Sequence, residues 1–168
     1  MAAACAAIAI AAPAAASAKT VTYGGKIFPE GRMAMDVKVS DKGVAKKVVA
    51  IRAEKVPAHC DVSGDLHITI NINRENTDNP DGSPFGLKVN RKGKFNLDYT
   101  DPTYHQRKAI HGEFNGRRDV KLAGGFSYAN HYPADGTYPE ENCHTDDDIY
   151  TAKRGGKDVV FPERLNRR

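Results

Sequence analysis

Residues 66–72 read LHITINI, and this short stretch decides the fold class. Leu66, Ile68, Ile70 and Ile72 alternate with His67, Thr69 and Asn71. A helix would scatter these four aliphatic side chains around its circumference. An extended chain places them all on one face and the polar residues on the other. The stretch therefore reads as a strand with one buried face. The same period runs outward in both directions. In MAMDVKV (33–39), Met33, Met35, Val37 and Val39 oppose Ala34, Asp36 and Lys38. FGLKV (85–89), FNLDY (95–99) and VKLAGGFSY (120–128) alternate in the same way. VAKKVVAIRA (44–53), AIHGEF (109–114), TVTY (20–23) and DIYTAK (148–153) complete the set. Turn residues separate the segments: Asp41-Lys42-Gly43, Asn90 to Gly93, and Asn115-Gly116. No segment carries an apolar period of 3.6 residues. The expected fold is all-β, an antiparallel two-sheet β-sandwich of about nine short strands. Gly124-Gly125 interrupts one strand, which predicts a bulge or a close backbone approach.

The chain has 168 residues and a net charge of +4. Residues 1–18, MAAACAAIAIAAPAAASA, contain no charged side chain and end in Ala16-Ser17-Ala18. That pattern reads as a secretory signal peptide cleaved after Ala18. The Lys or Arg that normally opens such a leader is missing, and a start upstream of Met1 would supply it. The competing readings are an alanine-rich helix of the fold, which Pro13 would interrupt, and a lipidated Cys5. Cleavage leaves residues 19–168, enough for one domain with a sizeable core. No later apolar run is long enough to span a membrane. The β-sandwich domain is expected over residues 19–154, followed by a basic C-terminal extension over 155–168. Residues 153–168 hold six basic side chains against two acidic ones, which accounts for the whole net charge. The body is balanced, so a nucleic-acid surface is not indicated.

Removal of the leader takes Cys5 and leaves Cys60 and Cys143. In an exported chain these two are expected to form a disulfide. The alternative is a zinc site from His59, Cys60, Cys143 and His144. Neighbouring residues on an extended chain point to opposite faces, so four such ligands converge with difficulty. His144 with Asp146, Asp147 and Asp148 forms a second candidate, for a cation that favours oxygen ligands, set against the simpler reading of a solvated acidic turn. No HExxH or GxSxG pattern occurs, which disfavours a zinc-helix protease and a serine hydrolase. No cofactor is indicated. Two polar loops, 73–84 and 130–142, read first as solvated connections; as binding loops, they would offer Tyr132, Asp135 and Tyr138 as the side chains most suited to a ligand.

Several motifs occur in a set order: YGGKIFPEGR (23–32), KVSDKG (38–43), Cys60, VNRKGKF (89–95), IHGEF (110–114) and CHTDDDIYTAKR (143–154). This order resembles a widespread type of small secreted bacterial β-sandwich proteins. Tyr150 stands where that type usually has Trp, and Asp146 where it has Gly. The resemblance implies fold and export, and it carries no enzymatic activity. The expected function is an exported, non-catalytic binding or surface-interaction module, whose partner would be a cell-surface polymer or a protein. The alternative is a secreted hydrolase, for example one acting on glycans, because paired carboxylates depend on separation in space rather than on sequence.

Overall fold

Every period-two segment contributes a strand, FGLKV only through Leu87–Lys88. The computed structural model describes residues 18–73, 82–101, 106–134, 137 and 139–156. Its ten strands are β1 (Lys19–Phe28), β2 (Arg32–Val39), β3 (Ala45–Cys60), β4 (Gly64–Asn73), β5 (Leu87–Lys88), β6 (Lys94–Asp101), β7 (Gln106–Asn115), β8 (Lys121–Tyr132), β9 (Glu141–His144) and β10 (Asp148–Arg154). The proposed leader, apart from Ala18, and the extension beyond Gly156 lie outside the described residues. No helix among those described is long and apolar enough to cross a membrane.

All pairings are antiparallel, and they link the ten strands into one continuous sheet. This differs from the expectation of two separate sheets and nine strands. The added strand is β9, which falls in a segment that reads as loop because it is short and carries Glu141 and Asn142. It pairs with β8 on one side and with the end of β3 on the other. After a break at residues 145–147 the chain continues as β10, which also pairs with β8 but has β1 as its other neighbour. One long strand, β8, thus holds two successive partners that reach opposite ends of the β1–β2–β3 meander. The ladder closes because β3, with 16 residues, is long enough to serve β2 first and β9 afterwards. A register shift between Ala53 and Val56, where Lys55 has φ 53°, marks a bulge in β3. Bulges add local twist and help a sheet curl.

The inward faces meet in one core. Met33, Met35 and Val37 of β2 are fully buried, as the alternation predicts, and Ile70 and Ile72 of β4 lie inside while His67 is exposed. Tyr23 of β1 packs edge-on against Phe114 of β7, with ring centroids 5.1 Å apart. Ala34, in the outward phase of β2, is nonetheless buried. It pairs with Gly24, whose backbone is covered by Gly156, so the first residues after β10 fold back over β1. The Gly155 amide seals this return by donating to the Thr22 carbonyl at 2.9 Å.

Turns form where predicted. The Asn90 side-chain oxygen accepts from the amides of Lys92 and Lys94, and Gly93 adopts φ 78° to complete the reversal. At the far end of the sheet Arg154 ties two turns together. Its guanidinium donates to the carbonyls of Gly43 (2.6 Å) and Arg118 (2.7 Å) and to the Tyr23 hydroxyl (3.0 Å). The Tyr23 hydroxyl in turn donates to the Asp119 carbonyl. Burial pushes the Tyr23 phenol up, against the pull of Arg154.

Candidate functional site

On its outer face, the sheet lines up side chains in rows across strands. One row runs Asn96–His111–Gly125–Ile149–Phe28, from β6 through β7, β8 and β10 to β1. A second runs Lys94–Glu113–Ala123–Thr151–Lys26. A third runs Asn115–Lys121–Lys153–Gly24. In the outward phase of β8, Ala123, Gly125 and Ser127 occupy positions where long polar chains are usual on a solvated strand. Their small size leaves a trough of about 1100 Å3 along β6, β7, β8 and the start of β10. A continuation of about 400 Å3 shares Asn115 and Ala123 with it and runs on over β10 and β1.

The trough is chemically asymmetric. Lys26, Lys121 and Lys153 line the continuation, and no acidic residue lines it. Among the described residues none of these three lysines is in an ion pair. In the larger section, Lys94 pairs with Glu113 at 3.4 Å and Arg107 with Asp98 at 3.2 Å. The Asp98 carboxylate raises the Arg107 guanidinium, with a smaller contribution from the charge of Asp147. The His111 imidazole lies over Gly125, where a Cβ would stand 2.8 Å from its Cε1. Ile149 and Phe28 are exposed and in register at the rim, so the wall there is apolar.

Asp148 stands at the end of the larger section and departs from the reading of a wholly solvated acidic turn. Asp146 and Asp147 are exposed, but Asp148 is buried, and its Oδ2 has no hydrogen-bond partner among the described residues. Burial, reinforced by the charges of Asp146 and Asp147, pushes its carboxyl up to about 6. An unfolded chain would release that proton near 3.8. Between those two values the folded chain holds the extra proton, so stability falls as pH rises through this window and is level above it. Asp148→Asn should remove that fall and raise stability at neutral pH by about 1–2 kcal/mol. Denaturant melts across the window test this, and an unchanged pH slope in the variant would refute it.

The other predicted residues separate cleanly. Cys60 and Cys143 are bonded, with S–S 2.00 Å and Cα–Cα 4.1 Å. They face inward, while His59 and His144, their neighbours and direct cross-strand partners, are exposed. The four-ligand zinc site is thereby split across two faces of the sheet. Among the described residues, Cys60, Glu141 and Cys143 are the one group whose potential ligand atoms already converge. Its two sulfurs are spent in the disulfide, and Glu141 accepts from the Ser63 amide at 2.6 Å. His144 is separated from Asp148 by burial, so the proposed His144–Asp146–Asp147–Asp148 set does not act as one cluster. Tyr132 is exposed at the end of β8, whereas Asp135 and Tyr138 lie outside the described residues, as does most of the loop at 73–84. Tyr150 belongs to the core, and Tyr99 and Tyr128 pack against it. Burial, with Tyr132 adding to it, pushes the Tyr128 phenol up to about 12. Lys26, Lys121 and Lys153 were not singled out by motif. The signal that could have found their site is the run of small residues in the outward phase of VKLAGGFSY.

Fold and site together define an all-β antiparallel protein with an internal disulfide and an open trough, partly lined by lysines, on its outer face. No family model matches the chain, and no curated protein and no solved structure shows significant similarity to it.

Proposed function

We propose that this is an exported, non-catalytic binding module that takes an extended anionic polymer, of the acidic cell-surface glycan type, along the trough. The folded-over sheet serves as the sandwich-like scaffold, and its rigid outer face carries the ligand. The observation behind this reading is the set of three lysines that form no ion pair among the described residues, beside a floor of small residues. A floor of short side chains, Ala123 and Thr151, admits a chain close to the sheet. Lys26, Lys121 and Lys153 then meet its negative groups as charge-assisted hydrogen-bond donors. An internal disulfide is compatible with an extracellular setting. Tagless protein applied to immobilised acidic polysaccharide should be retained and released by salt. The triple change Lys26→Glu, Lys121→Glu and Lys153→Glu should weaken binding at least about ten-fold, the equivalent of 1.4 kcal/mol. Equal retention of the triple variant would sink the proposal.

A secreted hydrolase remains the second reading, and one observation favours it. The Asp148 carboxyl, raised into the range of a general acid, lies in the same trough as Glu113 and Asp147. Turnover of a glycan that is lost in Asp148→Asn would replace the binding reading with this one.

A further inference from the structure

A second concavity of about 330 Å3 lies on a different part of the surface and shares no lining residue with the trough. His59, His67, His144, Glu30, Asp65 and Asp146 line it. Three imidazoles and three carboxylates in one hollow are unusual in a chain that has six histidines in all.

We propose that His59 and His144 are the two nitrogen ligands of a divalent transition-metal site, with Asp146 as the oxygen ligand and Asp65 as the group that positions His59. The two histidines are direct cross-strand partners between β3 and β9, and their rings stand edge to face with centroids 5.8 Å apart. Two imidazoles on one tetrahedral ion, at metal–nitrogen bonds of about 2.0–2.1 Å, have centroids roughly 5 Å apart. The ligand atoms of His59, His144 and Asp146 do not yet converge in this structure, so binding requires these exposed side chains to rotate. The backbone beneath them is already held, because the Cys60–Cys143 disulfide joins the very next pair in the ladder. The second support is the state of the His59 ring. Its Nδ1 lies 2.8 Å from Asp65 Oδ1. A carboxylate in that position keeps the proton on Nδ1 and leaves the Nε2 lone pair free, the arrangement in which a ligand histidine is oriented by its outer carboxylate. Asp146 follows His144 by two residues, is exposed on the same face and lines the same hollow. Imidazole with carboxylate suits zinc, copper(II) or nickel(II) rather than calcium or magnesium. His67 is held apart by Glu30, with Nε2 3.3 Å from Glu30 Oε2, and is not needed as a ligand.

The test uses tagless, disulfide-intact protein stripped of metal and titrated with zinc chloride by calorimetry, and with copper(II) followed by electron paramagnetic resonance. One ion per chain is expected, with a copper spectrum showing two imidazole nitrogens. His59→Ala and His144→Ala should each reduce the nitrogen count to one and weaken zinc at least about ten-fold. Asp65→Asn should weaken zinc about ten-fold while keeping both nitrogens, which separates a positioning group from a ligand. His111→Ala, outside this hollow, should leave the zinc affinity and the nitrogen count unchanged. Both ligand histidines are exposed, so the variants are expected to melt like the parent, and that measurement accompanies the titrations. Absence of zinc binding to the parent would overturn the site. So would binding that survives in both histidine variants.

Discussion

Cys143→Ser, or reduction of the parent chain, should lower stability by about 2–5 kcal/mol. The bridge spans 83 positions in sequence. For a loop of that size, the chain-entropy argument assigns about 4–5 kcal/mol to constraint of the unfolded state. The folded state adds a reason specific to this topology. β9 has only four residues, and its ladder with β3 is limited to His59↔His144 and Cys60↔Cys143. The other ties there are exposed polar ones. The Asn142 amide donates to Asp61 Oδ1 at 2.8 Å, its side chain to Asp61 Oδ2 at 2.9 Å, and the Asp61 amide to the Asn142 carbonyl at 3.1 Å. These bonds hold the Asp61 carboxyl below its ordinary range, but they are open to water and contribute little alone. Without the disulfide, β9 should detach first from β3. Hydrogen exchange should then report early loss of protection at residues 141–144, before β10. Uniform loss across β8, β9 and β10 would contradict that order.

Tyr150→Ala should cost about 3–5 kcal/mol, the range for deleting a large buried aromatic side chain. Tyr150 is 0% exposed and sits where β7, β8 and β10 meet. Its hydroxyl donates to the His111 carbonyl at 2.8 Å, and burial pushes its phenol far up. The space it fills exists because two glycines lie beside it. A Cβ on Gly112 or on Gly124 would collide with the Tyr150 hydroxyl, and on Gly124 also with the His111 carbonyl. This is the close backbone approach that Gly124-Gly125 announces in the sequence. No register shift occurs there, so a bulge is not its cause. Tyr150→Phe should cost only the hydrogen bond, about 0.5–1.5 kcal/mol. Gly112→Ala should be less damaging in the Tyr150→Phe background than in the parent, because the clashing oxygen is gone and only the Phe95 ring still crowds the new Cβ. Thermal melts of the four proteins would show this coupling, and strict additivity would rule it out.

Strand identity was legible because alternation is a property of the local chain. LHITINI and MAMDVKV needed nothing beyond their own residues to become β4 and β2. The turns at Asp41–Gly43, Asn90–Gly93 and Asn115-Gly116 were legible for the same reason. The opposite faces taken by Cys143 and His144 also followed from the geometry of an extended chain. Less was legible where a short segment gains its structure from its neighbours. ENCH has too few residues to show a period, and β9 exists because β8 and β3 each offer it an edge. The acidic run shows the limit from the other side. Composition alone reads Asp146, Asp147 and Asp148 as equals, yet Asp148 is carried inward by the phase that buries Tyr150 and Ala152. The lysines of the trough were invisible for a similar reason. Lys26, Lys121 and Lys153 lie far apart along the chain and meet only because β1, β10 and β8 are adjacent.

By itself, then, the sequence determined the all-β class, the positions of most strands and turns, and the cysteines available for a bridge. These rest on backbone geometry and on short-range side-chain chemistry, which act within a few residues. The tertiary structure alone decided that the strands join in one closed ladder, that β8 splits its edge between β9 and β10, and that His59 meets His144 across it. Those outcomes depend on which distant edges satisfy one another's backbone hydrogen bonds while a single core is buried, a condition that the whole chain meets at once and no segment carries alone.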